Sequence, residues 1–338
     1  MRRAALFLWL LLAIAARPAG AACEFLKVAS LHPMVDSNRL FLPGAANGQD
    51  ILFLTDTGAQ HSLIPWDTAQ TLGLDVVTAP GQVVGVSGKP IQLYRARIKA
   101  LRLGNWVWQD VDLLVSAPET GSEPAKRKRP AILLGADFLS KFDIELNLSA
   151  GEVNLFTPKD CGDAKLSYWA ERDNQAAMSS SYNDTNHILL RPKVNGTELT
   201  ALLDTGATFT SLSTMAALQV AGLRPDSPGV TESDQVKGIG GKELPSWLAT
   251  FDSFSLDAET IKPAKLRFLQ FGREEVHTRG FDTQSSFTEQ LDMILGLDFV
   301  YAHHILIANS QRKVYFTYSG GAPFQKVWSR APEPASGQ

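Results

Sequence analysis

The sequence predicts an all-β protein made of two similar antiparallel β lobes with few short helices. Three observations carry this expectation. Strand-length runs rich in Val, Ile, Leu and Phe recur along the chain, divided by Gly, Asn and Pro. Three blocks of sequence occur twice, in the same order in each half. Segments with helical character are few and short.

The first repeated block is Asp56-Thr57-Gly58-Ala59 and Asp204-Thr205-Gly206-Ala207. Each copy follows an apolar run, Ile51-Leu52-Phe53-Leu54 or Ala201-Leu202-Leu203, and each run follows a hairpin-type turn, Asn47-Gly48 or Asn195-Gly196. The offset is 148 residues, 204 − 56 for the motif and 195 − 47 for the turn. The second block pairs Gly85-Val86-Ser87-Gly88 with Gly238-Ile239-Gly240-Gly241 at an offset of 153 (238 − 85), and the same offset matches Ile98, Leu101 and Leu103 to Phe251, Phe254 and Leu256. The third aligns Leu133-Leu134-Gly135-Ala136-Asp137-Phe138 with Ile294-Leu295-Gly296-Leu297-Asp298-Phe299 at an offset of 161 (296 − 135). It continues through Ile144/Ile305, Leu146/Ile307, Val153/Val314 and Leu155/Phe316, with the alternation of strands. Helices are expected over 67–74 and 213–223, each closing on Gly-Leu, and over 136–142 and 297–303. Asp137 and Asp298 then stand in first turns, where a carboxylate complements the helix dipole.

The rest of the chain bounds the function. A net charge of −3 over 338 residues gives no footprint for nucleic acid. Arg2 and Arg3, an apolar stretch over 4–16 and Ala19-Gly20-Ala21 read as a signal peptide over 1–21. The protein is therefore expected to be exported, periplasmic or secreted, with no membrane span after cleavage. The expected divisions are a first lobe over 22–157, a polar linker over 158–186, a second lobe over 187–318 and a tail over 319–338. The only cysteines are Cys23 and Cys161. In an exported chain an even count suggests a disulfide; free thiols and lipidation of Cys23 are the alternatives. Lys126-Arg127-Lys128-Arg129 reads as a solvated loop. His303-His304 lacks the cysteine or spaced carboxylate of a metal site, and His61 faces Phe209 in the repeat. No metal or cofactor is expected.

Two facing carboxylates that share a proton can run acid–base chemistry without a metal. Asp-Thr-Gly turns sharply at Gly. If two such loops meet at a pseudo-twofold axis, Asp56 and Asp204 come within hydrogen-bond reach. Thr57 and Thr205 could bond across the axis, and the amides of Gly58 and Gly206 could point at the carboxylates. The tips over 85–88 and 238–241 could fold over bound substrate. The ionised acid would take a proton from water while its protonated partner donates to a carbonyl oxygen.

Leu-Leu-Asp-Thr-Gly-Ala, a Gly-Ile-Gly-Gly tip and Ile-Leu-Gly before a short helix resemble the retropepsin-like aspartic proteases. Both halves match, over most of residues 39 to 318. The whole looks like two such units fused in one chain, as in the bilobal pepsin-like proteases, but the tips carry no Tyr. The resemblance implies an acid-protease-like fold, a monomer, a polypeptide substrate and an aspartic endopeptidase with Asp56 and Asp204 as its dyad. The alternative is a non-catalytic relative that binds peptides in the same cleft. Ala59 and Ala207 stand where many acid-active relatives carry a hydroxyl, so the pair is expected to titrate higher than theirs and the optimum to be mildly acidic.

Overall fold

The computed structural model describes residues 22–36, 38–84, 90–117, 129–179, 186–237, 243–270 and 291–325. Their strands form four sheets. The first half folds into an eight-stranded sheet, with Gln49–Thr55, Ala131–Leu134, Leu63–Ile64, Trp106–Ser116, Pro90–Leu103 and Val76–Val84 adjacent in that order. In the second half Ala201–Leu203, Met293–Leu295, Ser211–Ser213, Ala264–Leu269, Glu243–Phe251 and Thr231–Lys237 repeat the order. Most neighbours are antiparallel. Each sheet also holds two parallel pairs at matching places: Gln49–Thr55 with Ala131–Leu134 and Leu63–Ile64 with Trp106–Ser116, then Ala201–Leu203 with Met293–Leu295 and Ser211–Ser213 with Ala264–Leu269.

A six-stranded antiparallel sheet joins the halves. Its order is Glu24–Leu31, Glu152–Lys159, Asp143–Asn147, His303–Ala308, Lys313–Tyr318 and Asn174–Ala177. Across its middle Ile144 faces Ile307 and Leu146 faces Ile305. In the repeat Ile144 matches Ile305 and Leu146 matches Ile307, so the pairing exchanges equivalent residues. A local twofold axis therefore passes between Glu145 and Leu306, which face each other. Residues 158–186, expected as a linker, supply the outermost strand Asn174–Ala177, the mate of Glu24–Leu31 at the opposite edge. The fourth sheet is four-stranded and lies in the second half.

The local signals act as their chemistry dictates. Asn47-Gly48 and Asn195-Gly196 have positive φ at both residues (50° and 82°, 50° and 81°), the backbone that Asn-Gly allows at a tight hairpin. One helix spans Thr214–Ala221; Ser213 caps it by accepting from the Ala216 amide, and Gly222 ends it with φ 66°. Trp66–Thr71 is its shorter first-half mate, while Ala136–Leu139 and Leu297–Val300 are single turns, each shorter than expected. One apolar core runs through both halves and the joining sheet, from Phe53 and Ile132 through Leu146 and Ile305 to Phe268. Cys23 and Cys161 form a disulfide that pins the start of Glu24–Leu31 to the end of its neighbour, where Glu24 faces Lys159. Among the described residues no helix is long and apolar enough to cross a membrane. The expected signal peptide and the 126–128 part of the basic run lie outside the described residues, as does most of the expected tail.

Candidate active site

Each Asp emerges at the end of a buried strand lying parallel to the strand that precedes Gly135 or Gly296. The Asp56 amide donates to the Leu134 carbonyl at 3.0 Å and the Asp204 amide to the Leu295 carbonyl at 2.9 Å. The chain then turns back on the carboxylate. Asp56 Oδ1 accepts from the amides of Gly58 (3.1 Å) and Ala59 (2.9 Å). Asp204 Oδ1 accepts from Gly206 (2.7 Å) and Ala207 (3.2 Å). Beyond the turn the loop presses on the glycine of the third block. A Cβ at Gly135 would stand 2.9 Å from the carbonyls of Ala59 and His61, and one at Gly296 would stand 2.8 Å from that of Phe209. Those glycines let the loop close against the short helical turn.

The two loops meet at the axis. Thr57 Oγ1 donates to the Leu203 carbonyl at 2.7 Å, and Thr205 Oγ1 donates to the Thr55 carbonyl at 3.0 Å. In return Thr57 Oγ1 accepts from the Thr205 amide and Thr205 Oγ1 from the Thr57 amide, both at 3.1 Å. Both threonines are buried, so all four bonds are shielded from competing water. This latch sets Asp56 and Asp204 side by side across the axis. It also sets each motif glycine against the opposite acid. A Cβ at Gly58 would lie 2.7 Å from Asp204 Oδ1, and one at Gly206 would lie 2.6 Å from both Asp56 oxygens.

Burial pushes the Asp56 carboxyl well above the usual range, and the charge of Asp204 adds to the rise; the amides of Ala59 and Gly58 oppose it. Burial also raises Asp204, against the amide of Gly206 and the hydrogen bond to Asp56. Two carboxyls in contact cannot both ionise freely and titrate as a pair.

A family model described as aspartyl protease matches residues 42–138 and 190–299, one region in each half and together over half of the chain. The chain belongs to the aspartyl protease family. The two matched regions fit two fused retropepsin-like units. Among solved structures, that of an aspartic proteinase from Irpex lacteus aligns over 88% of this chain and 97% of that one, with a TM-score of 0.49 at 11% identity. No curated protein sequence matches.

In this aspartyl protease Asp137 and Asp298 do more than complement a helix dipole; each stands on a single turn too short to have much of one. Asp137 Oδ1 accepts from the Ser62 hydroxyl at 2.6 Å and amide at 3.0 Å. Asp298 Oδ1 accepts from the Thr210 hydroxyl at 2.6 Å and amide at 2.8 Å. The same hydroxyls accept from the amides of Gly135 and Gly296. These braces fix the far side of each Asp loop. Ser62 and Thr210 were not singled out in the sequence, although they obey the 148-residue offset. Burial pushes the Asp298 carboxyl up to about 6.

Other expected site residues fall elsewhere. The tips over 85–88 and 238–241 lie outside the described residues. Thr208, next to Ala207, donates to the Asn38 carbonyl at 3.1 Å. His61 is half-buried beside the first loop. His303 sits between the Phe299 carbonyl (2.6 Å) and Glu259 Oε1 (2.7 Å), and His304 lies 2.8 Å from Glu145 Oε1. Both histidines belong to the joining sheet.

Proposed function

We propose that this aspartyl protease is an exported endopeptidase that hydrolyses peptide bonds through a water activated between Asp56 and Asp204. The observation that carries the reading is the symmetric latch that holds two buried Asp loops together, each motif glycine packed against the opposite carboxyl. In that arrangement one acid is ionised and the other holds the shared proton. The ionised member draws a proton from a water lying against both. The protonated member donates to the carbonyl oxygen of the scissile bond; the first acid then passes the proton it took from water to the amide nitrogen, the C–N bond of the tetrahedral adduct breaks, and the second acid recovers a proton from an adduct hydroxyl. Each ionised oxygen is steadied by two backbone amides, so little reorganises as charge moves. The substrate is a polypeptide. Neither step needs a metal or a covalent intermediate. The disulfide supports the exported part of the reading.

The test uses an unfolded protein substrate. Cleavage by the purified chain should be blocked by a pepstatin-type inhibitor. Asp56→Asn and Asp204→Asn should each lower turnover at least about a hundredfold while leaving the melting temperature close to that of the parent, since Asn is nearly isosteric. Saturable peptide binding with no cleavage would overturn the catalytic reading.

A further inference from the structure

The sheet behind each Asp loop has two faces. In the first half Phe53, Ile64 and Ile132 point into the main core. The alternate residues form a separate cluster in which Leu63, Leu93 and Leu133 are joined by the half-buried Leu54, Ala59 and Leu114. Ala59 is also the residue whose amide holds Asp56. A second apolar cluster therefore flanks the first acid, outside the main core.

Identical strand register builds the same positions in the second half. Leu63 lies beside Leu114 and Leu133, and Ser211 lies beside Arg267 and Ile294. Arg95 faces Leu114 and Leu248 faces Arg267, so two residues earlier Leu93 corresponds to Ser246. Three leucines of the first-half cluster thus correspond to Ser211, Ser246 and Arg267 in the second half. Arg267 is only 7% exposed. Its Nη1 donates to the Asp234 carbonyl (2.8 Å) and to Ser246 Oγ (2.7 Å), and the guanidinium lies 4.3 Å from the centre of the Phe209 ring, in the loop that carries Asp204. Its Nε is buried without a partner. Asp234 and Asp298 lie near enough to favour the cation. Yet Asp234 meets it through a backbone carbonyl, and the Asp298 Oδ1 accepts from Thr210. A buried guanidinium that lacks a carboxylate partner among the described residues is an unfavourable arrangement unless something supplies the anion.

We propose that these two flanks are unlike specificity pockets: Arg267, whose Nε has no partner, receives a substrate Asp or Glu side chain on one side of the scissile bond. The leucine cluster receives an apolar side chain on the other. A polypeptide lying across a twofold axis presents one side chain to each lobe, so unlike pockets also fix the direction in which it lies. This inference rests on the proposed cleavage for its reaction, but its recognition step is measurable without turnover.

The experiment measures binding of a peptide set to the Asp56→Asn protein. Each peptide has an apolar residue on one side of the central bond and Glu, Gln or Leu on the other, in both orientations. In one orientation Glu should bind at least about tenfold more tightly than Gln, because Gln leaves the cation unpaired. Arg267→Leu, which copies Leu114, should abolish that ratio and favour Leu. Should Arg267→Leu fail to fold, the Glu-to-Gln ratio with Arg267 intact still decides. Equal affinity for Glu and Gln in both orientations would overturn the pocket. A Glu preference in binding, with no cleavage by the parent protein, would uphold the pocket and sink the catalytic reading. Cleavage without a Glu preference would do the reverse.

Discussion

Where the two lobes touch, Thr57 and Thr205 make the same bonds to each other's loops; on the flank of those loops, Leu63, Leu93 and Leu114 in one lobe correspond to Ser211, Ser246 and Arg267 in the other. The contrast separates two kinds of constraint. A residue that bonds its own symmetry mate must fit both ends of the bond, so both copies stay alike. A residue that meets only its own lobe or a substrate is free to diverge. The joining sheet shows that facing a symmetry mate without bonding to it imposes no such likeness. Apolar pairs such as Ile144 and Ile307 repeat across the axis, while Glu145 faces its own counterpart Leu306 and takes its hydrogen bonds from His304, Tyr168 and Asn154.

The sharpest way to break the symmetric part is to crowd it. Gly58→Ala and Gly206→Ala should each lower kcat/KM by at least about a hundredfold, since the new methyl collides with the opposite carboxyl and separates the pair. The two losses should be alike; a large loss in only one would mean that the loops are not equivalent.

The disulfide is the largest structural asymmetry. It closes a span of 138 residues and fastens the outer strand of the first lobe, whereas the mate Asn174–Ala177 has no such bond. Cys161→Ser should cost roughly 5 kcal/mol by loop entropy, read as a fall in the denaturant midpoint that reductant reproduces in the parent protein.

Next comes the latch. Thr57→Val strands the Thr205 amide and the Leu203 carbonyl, and Thr205→Val strands the Thr57 amide and the Thr55 carbonyl. Each change should cost about 3 kcal/mol. The double variant should cost less than the sum, because losing either pair of bonds loosens the loop contact on which the other pair depends. Additive losses would show that the four bonds do not act as one unit.

A smaller effect appears in the pH dependence of stability. Asp298 is ordinarily a group of pKa near 4, here raised by burial to about 6. A raised carboxyl favours folding in its protonated form, so its burial cost is absent below about pH 4 and complete above about pH 6, a difference of roughly 3 kcal/mol. Asp298→Asn should flatten that window, since Asn Oδ1 can still accept from Thr210. Glu145 runs the other way. Burial pushes it up, but hydrogen bonds from His304, Asn154 and Tyr168 outweigh burial and hold it below its usual range. Its contribution is present above the ordinary Glu pKa and is lost as the pH falls through the folded value. Glu145→Gln should therefore reduce the acid sensitivity of the joined lobes, as seen by melting temperature against pH.

Much of this was legible in the sequence, for identifiable reasons. Asp56, Thr57 and Gly58 could be paired with Asp204, Thr205 and Gly206 because one offset also carried the turns and apolar strands. The glycines of the third block were visible too, although only the backbone of Ala59, His61 and Phe209 lying against them explains why a side chain is excluded. The braces Ser62 and Thr210 escaped notice because Ser and Thr are common and their acceptors lie 75 and 88 residues away. The strand Asn174–Ala177 reads as linker because its four residues are polar or small and only its edge position makes it a strand. Arg267 could not be read at all: its counterpart is a leucine, and only strand register reveals that they correspond.

The most direct test of the shared proton is the dependence of kcat/KM on pH for the unmodified protein. A pair that acts with one acid ionised and the other protonated gives a bell, with both limbs belonging to the pair. Burial and the neighbouring charge place the alkaline limb above the ordinary carboxylate range, so activity should peak in mild acid and fall on either side. A profile that rises through a single limb and stays high once both acids are ionised would contradict the account.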